Sequence, residues 1–246
     1  MKDFFCILIF GFFIFISAQA TENRIYTVGV EQINYAPYFW IKEYDEYVGL
    51  VPDVLKLFAE SEGISFIYRP LPIRRLQQDF KKGELDFRFP DNPDWNEPTT
   101  DLIFSDPLTT VIDGLFVLEK NKGKPLYFYR NIGTISGYTA PSLNEFLKEQ
   151  KLSLVEVNTY ESLLQMLILE RVQAAYLSIE PSLYILNNTG NNRENVVFDD
   201  TLPFDIANHY LSTKKHISLI NSLNVFLVTD VKRIREIFKS YNVKYQ

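Results

Sequence analysis

The sequence predicts an α/β protein made of two successive halves, each a mainly parallel sheet flanked by helices. Two observations carry this. Short β-branched or aromatic runs alternate with amphipathic helical patterns, and the whole alternation begins again after residue 130. Glycines and prolines fall where helices should start and stop.

The elements follow in order. Lys2, the apolar run from Phe4 to Ile16 and the small-residue stretch SAQA read as a secretory signal at residues 1–20, cut after Ala20. That run is shorter than the roughly 20 residues of a membrane-spanning helix, and no later segment comes closer. IYTVGV, residues 25–30, is a strand, and residues 49–62 form a helix with Pro52 in its first turn and Gly63 just past its end. ISFIYR is the next strand, IRRLQQDFKK the next helix with Gly83 as its stop, and LDFRF (85–89) the third strand. The second series opens with a strand at 130–136. Gly137 turns the chain, Pro141 opens a helix running to residue 150, and SLVEV, a helix after Asn158 and the strand AAYL (174–177) complete it.

Composition narrows the function classes. The chain carries 31 acidic and 25 basic residues, a net charge of −6, which disfavours nucleic acid and anionic membrane surfaces as partners. Its single cysteine, Cys6, lies inside the signal, so no disulfide and no lipid-anchored cysteine is indicated. HExxH, GxSxG and Walker A patterns are absent, and His209 and His216 have no partner at metal-ligand spacing. Neither a catalytic set, a metal nor a cofactor is predicted. Asn187-Asn188-Thr189 fits a glycosylation sequon, a three-residue match of little weight.

Parallel sheets bind ligands in the crevice at the carboxyl ends of their strands. The loops that arrive there carry NYAPYFW (34–40), PDNPDW (90–95), Gly137-Tyr138-Thr139, and Ser178 with Glu180. Polar and aromatic groups at all four argue for a binding cleft rather than four independent core edges. Thr139 at a helix start offers a hydroxyl and free amides to an anion, or simply caps the helix. Glu180-Pro181 supplies a carboxylate to the cleft or a helix start. Arg88 alternates with Phe87 and Phe89 and shares a face with Asp86, so it either pairs internally with that residue or reaches the ligand.

The order and spacing of YAPY (35–38), GLVPDVLKLFAE (49–60), KKGELD (81–86), FSDP (104–107), GYT (137–139) and ERVQAAYL (170–177) resemble the family 3 extracellular solute-binding proteins that serve ABC importers, typified by polar amino-acid receptors. The resemblance covers residues 24–246. It implies the periplasmic binding protein type II fold: two lobes joined by two crossover strands, near 109–112 and 207–210, closing on a ligand between them. Lobe 1 would be residues 21–110 plus 209–246 and lobe 2 residues 111–208. It further implies an exported periplasmic monomer that binds a small molecule and meets a membrane ABC permease, or else a membrane sensor. Tyr35 resembles the ring that covers the ligand, which would contribute to affinity rather than to stability, and Arg75 resembles an arginine that points into the cleft. Asp91 falls at a small polar ligand-contacting position, where it either favours a cationic or polyhydroxylated ligand or closes an Asx turn with Asn92-Pro93.

Two departures from the family matter more. An arginine that grips the α-carboxylate usually stands where this chain has Pro98, and an aspartate that holds the α-amine usually stands where it has Ser178. Common α-amino acids are therefore not the expected ligands. The alternative to a solute-binding role is a periplasmic enzyme of dehydratase type on the same fold, with Glu180, Asp91 or His209 as acid or base.

Overall fold

A computed structural model describes residues 24–42, 46–97, 101–149, 151–188 and 195–245. The signal segment, Pro98 and Thr189 of the sequon lie outside the described residues. The elements are β1 (Arg24–Glu31), β2 (Trp40–Ile41), β3 (Tyr47–Val48), α1 (Leu50–Glu62), β4 (Ile64–Leu71), α2 (Ile73–Lys82), β5 (Phe87–Asp91), β6 (Ile103–Phe104) and β7 (Thr109–Leu118). After these come β8 (Asn131–Ile135), α3 (Asn144–Lys148), β9 (Ser153–Val157), α4 (Tyr160–Ile168), β10 (Ala174–Ser178), α5 (Ile179–Asn188), β11 (Val196–Phe198) and β12 (Phe204–Thr213). Helices α6 (Ile217–Thr229) and α7 (Val231–Ser240) close the chain.

The fold is α/β, with a parallel set of strands in each half. In the first half β4, β1 and β5 run parallel, and in the second β9, β8 and β10 do. Between these two sets lie β12 and β7, antiparallel to each other from Phe204↔Gly114 to His209↔Thr109. The carboxyl-terminal part of β12 pairs with β5, and β7 pairs with β10, so the strand order β4-β1-β5-β12-β7-β10-β8-β9 is continuous. Two long strands thus connect the two parallel sets.

Local sequence explains most element ends. Helices α1 and α2 stop where Gly63 and Gly83 take the left-handed conformation, and the Gly83 amide donates back to Asp79 and Phe80. Helix α4 starts at Thr159, whose hydroxyl accepts from the Ser162 amide. Two expectations shift. The third strand starts at Phe87 rather than residue 85, because Leu85 packs with Leu76 and Phe80 while the Asp86 side chain accepts from the Thr27 amide. The helix expected over 141–150 is a 3-10 turn, Pro141–Leu143, followed by the short α3.

The largest core cluster runs through both halves, from Val28, Leu55 and Phe58 to Leu163, Leu167 and Ile185. The carboxyl-terminal helices return to the first half: the Phe226 ring packs 5.5 Å from Phe58, and the Tyr241 hydroxyl donates to Asp53 at 2.7 Å. Among the described residues no helix is long and apolar enough to cross a membrane.

Candidate functional site

The candidate site is where the carboxyl ends of β1 and β10 face each other across β7 and β12. On the first side, the loop after β1 folds back on itself: Tyr35 and Phe39 exchange backbone hydrogen bonds of 2.9 and 3.2 Å. This hairpin presents the Tyr35 ring, stacked on Phe39 at 5.0 Å, which in turn stacks on Tyr47. On the second side, Ser178 ends β10.

Ser178 Oγ is the centre of a hydrogen-bond hub. The Tyr35 hydroxyl donates to it at 2.6 Å and the Tyr160 hydroxyl at 3.0 Å, and Ser178 donates its own proton to Asp113. A hydroxyl has one proton and two lone pairs, so Ser178 is fully used. A second contact joins the halves nearby, where the Tyr138 hydroxyl donates to Glu31 Oε2 at 3.1 Å. Asn34 donates to Glu161 at 2.8 Å at the rim.

The electrostatics are acidic. Burial pushes the Glu31 carboxyl up to about 7; the Tyr138 bond and the Arg88 charge oppose this, and Asp91 adds to it. Asp113 is pushed up to about 6 by burial, against its Ser178 bond, with the Asp205 and Glu180 charges adding to the rise. Asp205 lies directly opposite Asp113 in the β12–β7 register, and it accepts from Tyr176 and from the Ser142 amide. Burial holds His209 down at about 4, so its ring is neutral between Tyr35, Phe89 and Trp95. His209 Nδ1 is buried without a hydrogen-bond partner, and the Glu180 carboxylate faces the buried Tyr38 hydroxyl.

The structure sorts the residues singled out in the sequence. Tyr35 and Ser178 meet in the hub, and Glu180 acts on the neighbouring Tyr38 hydroxyl. Tyr35 is only 2 % exposed, so the expectation that it contributes little to stability is corrected: removing a packed, hydrogen-bonded ring of this kind costs several kcal/mol. Arg88 does pair internally, but with Asp91 rather than Asp86. Its Nε donates to Asp91 at 2.9 Å and its terminal nitrogen to Asn96 at 2.8 Å, with the guanidinium over the Phe80 ring. Asp91 also accepts from Ser212, from Asn96 and from the Asn92 amide, so both members are committed to one another and to the fold. The Asx turn belongs to Asn92, which accepts from the Asp94 amide. Asp86 instead bonds His216, the residue that precedes α6, whose ring packs on Tyr26 and Phe87. Arg75 is 57 % exposed and bonds Asp79 one turn on, sharing it with Arg69. Thr139 is exposed, and Ala140 rather than Thr139 precedes the 3-10 turn. Neither Arg75 nor Thr139 joins the hub.

Glu31, Asp113 and Tyr160 are not among the residues singled out in the sequence, and Tyr138 appears there only as part of its loop. Asp113 carried a signal, since it is the sole charge in the strand TTVIDGLFVL. Among the described residues no group of three metal-ligating side chains occurs.

No protein-family model matches the sequence, and no curated protein does. The fold is shared with solved structures. The arginine-, lysine-, histidine-binding protein ArtJ from Geobacillus stearothermophilus superposes with a TM-score of 0.71 at 15 % identity, over 91 % of this chain and 97 % of its own. The ancestral amino acid-binding protein AncCDT-1, a precursor of cyclohexadienyl dehydratase, gives 0.68 at 18 % identity, over 88 % and 95 %. A histidine kinase sensor domain similar to periplasmic binding proteins gives 0.68 at 19 % identity, over 89 % and 96 %. At these identities the likeness is one of fold: amino-acid-binding proteins, a sensor domain and a precursor of a dehydratase share the architecture of this chain.

Proposed function

We propose that the protein is an exported, periplasmic solute-binding protein: a monomer that captures a small polar metabolite between two hinged lobes and delivers it to a membrane ABC permease. The lobes are residues 21–110 with 209–246, and residues 111–208, hinging where β7 and β12 run side by side. The observation that carries this reading is the Tyr35–Ser178–Asp113 hub, made by residues from both halves at the carboxyl ends of their strands. Such contacts form when the lobes close and separate when they open, which is how a ligand enters and is retained. Tyr35 and Glu180 remain ligand contacts of this proposal, and Glu31, Asp113, Tyr138 and Tyr160 join them, while Ser178, whose hydroxyl is fully used, ties the closed lobes together. Arg75, Arg88, Asp91 and Thr139 leave it.

A thermal-shift screen of a metabolite library tests the proposal. A ligand at about 100 times its dissociation constant adds about 2.7 kcal/mol, which raises the melting temperature by roughly 5–10 °C. Small-angle scattering with the best hit should then show a smaller radius of gyration. No hit removes the binding role, and a hit with unchanged radius removes the hinge. The dehydratase alternative is favoured by one feature, the Glu31 carboxyl that titrates near 7 inside the cleft, a value suited to an acid or base. Turnover of the bound hit would establish it.

A further inference from the structure

Building on the proposed solute-binding role, we infer that the solute is an organic amine or guanidine that carries a positive charge and no carboxylate. Three independent features of the cleft lead there. The first is its charge inventory. Glu180 from α5 and Asp205 from β12 act on Asp113 from β7, Glu31 from β1 lies beside them through its Tyr138 bond, and the nearby guanidinium, Arg88, is already matched by Asp91. Arg69 and Arg75 are both held on Asp79. Two carboxylates directly opposite on antiparallel strands, Asp113 and Asp205, repel each other, and a cation between the halves removes that repulsion.

The second feature is the set of acceptors with capacity left. His209 Nδ1, on a residue 4 % exposed, can accept a hydrogen bond, and the Glu180 carboxylate, which faces the Tyr38 hydroxyl, can accept more than that one. An ammonium offers three donors and a guanidinium five, so either satisfies this set. A ligand carboxylate needs donors. The strong one in reach, Arg88, has its Nε on Asp91 and a terminal nitrogen on Asn96. Bringing in an anion would add a negative group to a buried acidic site without a cation to receive it.

The third feature is aromatic. The Tyr35 ring meets Tyr160 edge-on at 5.7 Å and Tyr38 at 5.6 Å, with Tyr138 bonded to Glu31 beside them. Ring faces attract a desolvated cation and do nothing for an anion.

Matched pairs that differ only in the carboxylate test the inference: agmatine against arginine, putrescine against ornithine and cadaverine against lysine, by calorimetry at pH 7.5 on the full mature chain. At least one amine should bind ten times or more tightly than its parent amino acid. Asp113→Asn and Glu180→Gln should each weaken that amine about tenfold or more, with circular dichroism melts confirming that the variants fold. A parent amino acid that binds as tightly as its amine overturns the inference and leaves solute binding standing. So does a library screen whose hits are all neutral or anionic. An amine whose affinity is unchanged in both variants overturns the placement of the cation. If no compound of any class stabilises or compacts the protein, both the inference and the solute-binding reading fall.

Discussion

Titrating Glu31 should destabilise the folded protein as the solution becomes more basic. The residue is 8 % exposed, accepts from the Tyr138 hydroxyl, and has its carboxyl raised from 4.5 to about 7. A raised carboxyl binds its proton more tightly when folded than when unfolded. Its stabilising contribution is therefore complete below about pH 4.5 and is lost as the pH rises through about 7. Between pH 5 and 8 the loss amounts to about 2.5 kcal/mol, at 1.36 kcal/mol for each unit of differential titration. Asp113 adds a loss of the same sign as the pH rises through about 6. His209, held down at about 4, acts oppositely: the folded protein resists its protonation, so stability falls as the pH drops from 6.5 toward 4. The clean measurement is a difference. Glu31→Gln keeps an acceptor for Tyr138 and removes the titration, so urea unfolding of both proteins from pH 5 to 8 cancels the Asp113 and His209 contributions. The wild type should lose about 2.5 kcal/mol relative to Glu31→Gln across that range. A constant difference, or one of opposite sign, would refute the claim that Glu31 is buried and protonated near neutrality.

The remaining predictions concern the supports of the site. Arg88→Ala leaves Asp91, 0 % exposed, as a buried charge without its cation and should cost about 3–5 kcal/mol in chemical denaturation, whereas a cost below about 1 kcal/mol would show that the pair is not buried in solution. Gly49→Ala should destabilise by about 1–3 kcal/mol, read as a lower melting temperature: φ is +131° there and the new Cβ would sit 2.6 Å from the Tyr38 carbonyl oxygen, a backbone atom that cannot swing aside. An unchanged melt would mean that the loop carrying Tyr35 is not held against α1 by the Leu50 and Val51 amides, which donate to the Pro37 and Tyr38 carbonyls.

How much of this protein the sequence determined by itself follows the range of the interactions involved. Helix α2 runs over the residues its pattern marks, 73–82, and β9 over SLVEV, because a 3.6-residue period, a two-residue period and a glycine past the helix end are read within one element. The position of Tyr35 after the first strand was equally legible, since strand ends in a parallel sheet place their loops on one side. Thr139 was misplaced because Pro141 licenses an α-helix and a 3-10 turn alike, and the choice lies in the packing that follows. The hub itself belongs to the tertiary structure. Tyr35 and Ser178 are 143 residues apart, and Asp113 faces Asp205 and Ser178 only through the registers of β12 on β7 and β7 on β10. Arg88 likewise chose Asp91 over the alternating Asp86, whose side chain was taken by Thr27 and His216 from other elements. A local pattern sets which face a side chain presents, but strand register sets what stands opposite it, and buried charges answer to that neighbour.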